Sequence, residues 1–155
     1  MYSNQKLAID LLISIFATFI LSTTILSIST ATWNINPDLN QRFGLFQQCS
    51  LTCCCINKEL NRTITMLTLF TCVLLLTSTL ASFLLMGTRI DNRNRCYILV
   101  PLTLFGAGIS MTMIFVRVHE KTYINGYSAL VFLIDIVLAY VLGGISILHG
   151  SMFYF

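Results

Sequence analysis

ALVFLIDIVLAYVLGGISILH, residues 129–149, is the stretch that decides the fold. It runs for 21 residues with one acid, Asp135, and without lysine or arginine. The hydrocarbon core of a bilayer is about 30 Å thick, and a helix crosses it with about 20 apolar residues. Three other stretches match this pattern: Leu7–Ile28, Ile64–Met86 and Tyr97–Val116. Together the four take up 86 of 155 residues. Inside lipid every backbone amide needs an internal partner, which selects helices. None of the stretches shows the period-two alternation of a barrel strand. The chain therefore reads as an all-α membrane protein, a four-transmembrane-helix bundle forming one domain over residues 1–155.

Composition agrees. Hydrophobic residues make up 56% and charged ones 10%, against about 45–50% and about 25% in soluble domains. The mean hydropathy is +0.82. So few charges cannot coat a surface facing water, and the lipid bilayer is the first partner. A net charge of +3 with no long basic cluster argues against a nucleic-acid partner.

Outside the spans lie a head (Met1–Lys6), a long first loop (Ser29–Thr63), two short loops and a six-residue tail. Four crossings put both termini on one side. The first span is longer than the apolar core of a cleaved signal and is followed by no convincing cleavage site, so it reads as an uncleaved signal anchor. Lys6, Arg89, Arg93 and Arg95 are concentrated on the side of the termini, which favours termini in the cytosol. The first loop carries Cys49, Cys53, Cys54 and Cys55, and disulfides persist on the extracytoplasmic side. Asn61-Arg62-Thr63 in that loop is an N-glycosylation sequon, with Asn61 the candidate acceptor. The opposite orientation would leave the cysteines in the cytosol as acylation sites.

Four cysteines allow three pairings, and each includes a bridge between adjacent or next-but-one residues, where geometry invites strain. A single bridge from Cys49 to the Cys53–Cys55 run is expected. The first extracellular loop then becomes a small disulfide-stapled cap that can contain β-strands. A thiolate zinc site has neither the usual CxxC spacing nor a nearby histidine, so no metal and no cofactor is expected. Cys72, in mid-span, reads as a small packing residue.

Trp33 is followed by Gly44-Leu45-Phe46-Gln47-Gln48-Cys49, by the cysteine run, and by Arg62 at the mouth of the second span. This order resembles the signature of the claudin and peripheral myelin protein superfamily, with Phe46 where a tryptophan is usual. Gly126-Tyr127-Ser128 and Gly143-Gly144 also look like this group. The resemblance implies a four-span plasma-membrane protein with cytoplasmic termini. It also implies a structural protein of cell junctions, organising membranes or adhesion through the first extracellular loop. The alternative within the same superfamily is an accessory subunit docking laterally on an ion channel or receptor. Partners would be tetraspans of the same or a neighbouring cell, or that channel or receptor.

The same residues also have simple physical roles of their own. Trp33 falls where tryptophan anchors the headgroup region. Gly44 is placed to supply a positive-φ turn, and Leu45-Phe46 to bury against the helix ends or the membrane surface. A loop of this length cannot build its own core, so a bridge from Cys49 would hold it together.

Asp135 is the one ionisable residue read as lying well inside a span. Such residues usually face a bundle interior. With no lysine or arginine at its depth, its partner must be a hydroxyl, a backbone carbonyl, another protein or its own proton. Asp10 sits near the other end of the bundle, about 15 Å away in depth, so no aspartyl dyad forms. His119-Glu120 begins like a zinc-protease motif, but Tyr123 stands where the second histidine is needed. His149 reads as solitary. No catalytic residue and no enzyme activity are expected. Stripes of small residues (Ser14, Thr18 and Ser22; Gly106 and Ser110; Ala139 and Gly143) read as close helix-packing seams.

Overall fold

The computed structural model describes residues 2–36, 41–50, 53–56, 62–87, 96–120 and 124–154. Four helices dominate: α1 (Tyr2–Ser29), α2 (Arg62–Gly87), α3 (Cys96–His119) and α4 (Tyr127–Tyr154). Each is long and apolar enough to cross a membrane. They overrun the expected spans. α1 absorbs the head from Tyr2 onward, and α4 absorbs the tail as far as Tyr154. Neither end holds a proline, and continuing the helix pairs backbone groups that would otherwise lose partners near lipid. Each helix packs on two others, in the cyclic order α1–α2–α3–α4 and back to α1.

The bundle is apolar outside, and its apolar core holds a set of buried polar side chains. Leu26, Leu84, Leu102 and Leu148, one on each helix, are 62%, 64%, 65% and 61% exposed. Ser14, Thr71, Ser78 and Asp135 are buried. A water-facing protein shows the reverse distribution; apolar exteriors of this kind suit lipid contact. Most of the interior hydroxyls are served by the helices themselves, Ser78 Oγ being buried without a hydrogen-bond partner among the described residues. Thr68, Thr71, Thr77 and Thr79 of α2 donate to carbonyls one turn back at 2.8 Å, the bond that lets threonine sit in a helix at little cost. Thr71 and Ser110 also meet across α2 and α3 at 2.8 Å.

Two of the three small-residue seams hold. Gly106 and Ser110 face α2, where a Cβ on Gly106 would stand 3.2 Å from Leu74. Gly143 faces Phe105 of α3. The α1 stripe is corrected: Ser14 is buried, but Thr18 and Ser22 are exposed and bond back to their own helix. The inner face of α1 instead runs through Ile13, Ala17, Ile20 and Thr24. Because lipid-facing residues are as apolar as the core, hydroxyl spacing alone could not separate these two faces.

The first loop forms a four-stranded antiparallel sheet in the order β1-β2-β3-β4. Its strands are β1 (Asn34–Asn36), β2 (Gln41–Phe43), β3 (Gln47–Cys49) and β4 (Cys54–Ile56). The registers are tight: Asn34 lies opposite Phe43, Arg42 opposite Cys49, and Cys49 opposite Cys54. This sheet caps the end of the bundle where α1 ends and α4 begins.

Candidate functional site: the cap and its seat

Trp33 is the plug. It is 2% exposed, its Nε1–H donates to the Ser27 carbonyl at 2.6 Å, and its ring packs on Phe132 with centroids 5.1 Å apart. This overturns its reading as a headgroup anchor. A tryptophan can enter a core when its N–H finds an acceptor, and the last turn of α1 supplies one. Leu45 is buried beside the plug and Phe46 half-buried, as expected for residues that seat the loop on the helix ends.

Two glycines let the cap come down onto its seat. A Cβ on Gly44 would run into the Thr30 carbonyl, and one on Gly126 into the Thr32 carbonyl. Gly44 is therefore a glycine of close approach, not of positive φ as its sequence suggested. Where backbone meets backbone there is no flexible side-chain end to give way. The closure is completed by hydrogen bonds. Trp33 N–H donates to Phe43 O at 2.9 Å, Gly126 N–H to Trp33 O at 3.0 Å, and Ser128 N–H to Thr32 O at 3.3 Å. The Ser128 hydroxyl meets those of both Thr30 and Thr32. Asn125 acts as a missing strand: Ile35 N–H donates to its Oδ1 at 2.8 Å, and its Nδ2 donates to Ile35 O at 2.9 Å. Gly126 and Ser128 stood in the short motif read from the sequence, but nothing adjacent to Asn125 marks it as a strand's partner.

Arg62 opens α2 and is exposed. Cys49 faces Cys54 across β3 and β4. Cys53 and Cys55 are exposed thiols within hydrogen-bonding reach of each other, and Cys53 also approaches Ser50 Oγ at 3.8 Å. Cys72 is a half-buried thiol of α2. The candidate acceptor Asn61 lies outside the described residues.

Asp135 finds hydroxyl partners, one of the four kinds its position allowed. Thr23 Oγ1 donates to Oδ1 at 2.7 Å and Thr24 Oγ1 to Oδ2 at 3.0 Å, tying α4 to α1 below the cap. His149 is not solitary. Its Nε2 lies 2.8 Å from Oδ1 of Asp10, and Lys6 Nζ lies 3.7 Å from Oδ2, all three side chains being buried. A separation of 139 positions along the chain hid this contact. Asp10 is thus a second buried carboxylate, more than three turns of α1 from the Thr23–Thr24 pair, or about 20 Å of helix rise. Asp10, Ser82, Tyr97 and His149, one from each helix, help line a cavity of about 10 Å³ there, room for one water. Between α1 and α4 an apolar groove of about 120 Å³ is lined by Phe16, Ile20, Leu138, Val141, Leu142 and Ile145.

His119 closes α3, and the neighbouring Glu120 pairs with Arg117 at 3.6 Å on the exposed surface. No protein-family model matches the chain, and no curated protein matches it.

Proposed function

We propose that this chain is a non-enzymatic, claudin-like protein of the plasma membrane that organises cell contacts through its first extracellular loop. Both termini lie in the cytosol. The observation that supports this reading is the seating of the cap. The Trp33 plug, the two glycines of close approach and the Asn125 pairing hold a β-sheet rigidly on one end of an apolar bundle. Such a platform can hold a recognition surface at fixed height above a membrane, since little ordering entropy is left to lose on contact. A bridge between Cys49 and Cys54 completes it. Directly opposed residues of an antiparallel pair have Cα atoms about 4.5–5.5 Å apart, inside the disulfide range of about 4.4–6.8 Å.

The accessory-subunit reading has one observation in its favour: the groove between α1 and α4, open to a helix of another membrane protein. One experiment separates the two. Cells expressing the tagged chain are co-cultured with non-expressing cells, and the chain is then purified in mild detergent. Enrichment at borders between expressing cells, with no stoichiometric channel or receptor recovered, is the expected result. Uniform surface distribution with such a protein in equal amount overturns it in favour of the accessory role.

A further inference from the structure

The sheet of the cap ends in two edges, and among the described residues only one is closed. At β1, the Asn125 side chain takes and returns the backbone hydrogen bonds of Ile35. At β4, among the described residues, no strand pairs with the outer side. An open edge is a template for a further strand.

The phase of the β3–β4 hairpin says which groups that edge presents. Ser50 N–H donates to Cys53 O at 2.9 Å, so Ser50 and Cys53 form a hydrogen-bonded pair. Pairs alternate along an antiparallel ladder. Cys49 and Cys54 are then a non-hydrogen-bonded pair, and Gln48 and Cys55 a hydrogen-bonded one. The backbone of Cys55 is thus spent on β3, while the N–H and C=O groups of Cys54 and Ile56 turn outward. Cys55 is the middle residue of this strand, and its thiol is exposed.

We infer that β4 is the edge through which two copies of this chain join, with Cys55 of one disulfide-bonded to Cys55 of the other. A two-fold axis through Cys55 sets Cys54 of each copy against Ile56 of the other. Their outward backbone groups then form the new ladder, and the contact is self-complementary as a two-fold interface requires. Cys55 meets its own copy as a non-hydrogen-bonded pair, with Cα atoms about 4.5 Å apart, a separation a disulfide spans. Closure onto Cys53 instead, two positions away, is the strained alternative. An exposed thiol without an intramolecular bridge is available, in an oxidising compartment, to pair between molecules.

The chemistry balances with a low-molecular-weight disulfide such as glutathione disulfide as oxidant. The Cys55 thiolate of one copy attacks it and releases one thiolate. The second copy's Cys55 thiolate then displaces the other from the mixed disulfide. Two thiols lose their protons to solvent, two electrons pass to the oxidant, and one S–S bond joins the copies.

This inference rests on the extracytoplasmic cap proposed above, and its test keeps the two apart. The full chain is expressed in two tagged lengths in the same cells, which are lysed with N-ethylmaleimide and run on non-reducing gels. Three bands at dimer mass are expected, including the mixed species. All should vanish with reductant and with Cys55→Ser, and persist with Cys53→Ser. A monomer whose Cys55 reacts with an impermeant maleimide on intact cells overturns the dimer alone. A monomer labelled only after permeabilisation overturns the orientation as well. Dimer bands that survive Cys55→Ser, or a band of any other mass in place of the mixed dimer, also refute it.

Discussion

The Cys55 thiol stands in solvent with Cys53 beside it, and the Cys53 contact pushes it above the ordinary cysteine range. The thiolate is the reactive form, so a raised thiol reacts slowly at neutral pH and gains reactivity as pH climbs. Cys53→Ala removes the cause. In protein first reduced and freed of reductant, alkylation of Cys55 by a maleimide at neutral pH should then be faster than in the parent treated the same way, with the difference closing at alkaline pH where both are ionised. Mass spectrometry of the timed reaction reads this directly. Deeper in the protein, Thr24 is a test of the Asp135 tie. Thr24→Val keeps the shape but deletes the 3.0 Å bond to Oδ2. Leaving a buried acceptor short of a partner costs about 1–3 kcal/mol. Measured couplings inside membrane proteins average about 0.6 kcal/mol, so a loss near 1 kcal/mol is expected in detergent unfolding. Asp135 itself was legible in the sequence as a lone polar residue. That Thr23 and Thr24 would meet it was not, because nothing local in α1 marks which threonines face inward.

Among elements, the start of α4 decides whether the cap closes. Gly126→Ala drives a methyl into the Thr32 carbonyl, backbone against backbone. Such a clash is relieved only by moving α4 away from β1, so the Trp33 and Asn125 contacts loosen together. Gly144 is the control: a Cβ there meets nothing within 4 Å. Gly144→Ala should be neutral or stabilising by up to about 1 kcal/mol, the helix-propensity gain over glycine. Unfolding in detergent should place the two variants on opposite sides of the parent, and Gly126→Ala should open the cap to protease first. The sequence places Gly126 before the fourth span and Gly144 inside it, but that Thr32 stands against the first and nothing against the second is visible only in the structure.

At the scale of the whole molecule, cap and bundle are held by different forces and should fail separately. Burial of Trp33 joins them, and Trp33→Ala forfeits about 3–5 kcal/mol in a packed site. The helices keep their own backbone bonds and apolar exteriors. The expected product therefore inserts with four spans and keeps its helical circular dichroism, but its cap is cleaved by protease much faster than the parent's. Loss of helix content along with the cap would show that the two are one cooperative unit. What the sequence alone determined is the number and place of the apolar helices, though not how far they run past the apolar stretches, because composition over about 20 residues is enough to choose lipid over water. It also marked the cap residues that matter, Trp33, Gly44, Leu45 and Phe46, though not their physical roles. Tertiary structure decided everything that depends on facing: that Trp33 goes inward, that Gly44 and Gly126 serve close approach, and that His149 meets Asp10. The physical reason is the solvent. In water, periodicity of apolar residues marks the buried face of a helix; in lipid both faces are apolar, so which polar side chains meet is set by packing alone.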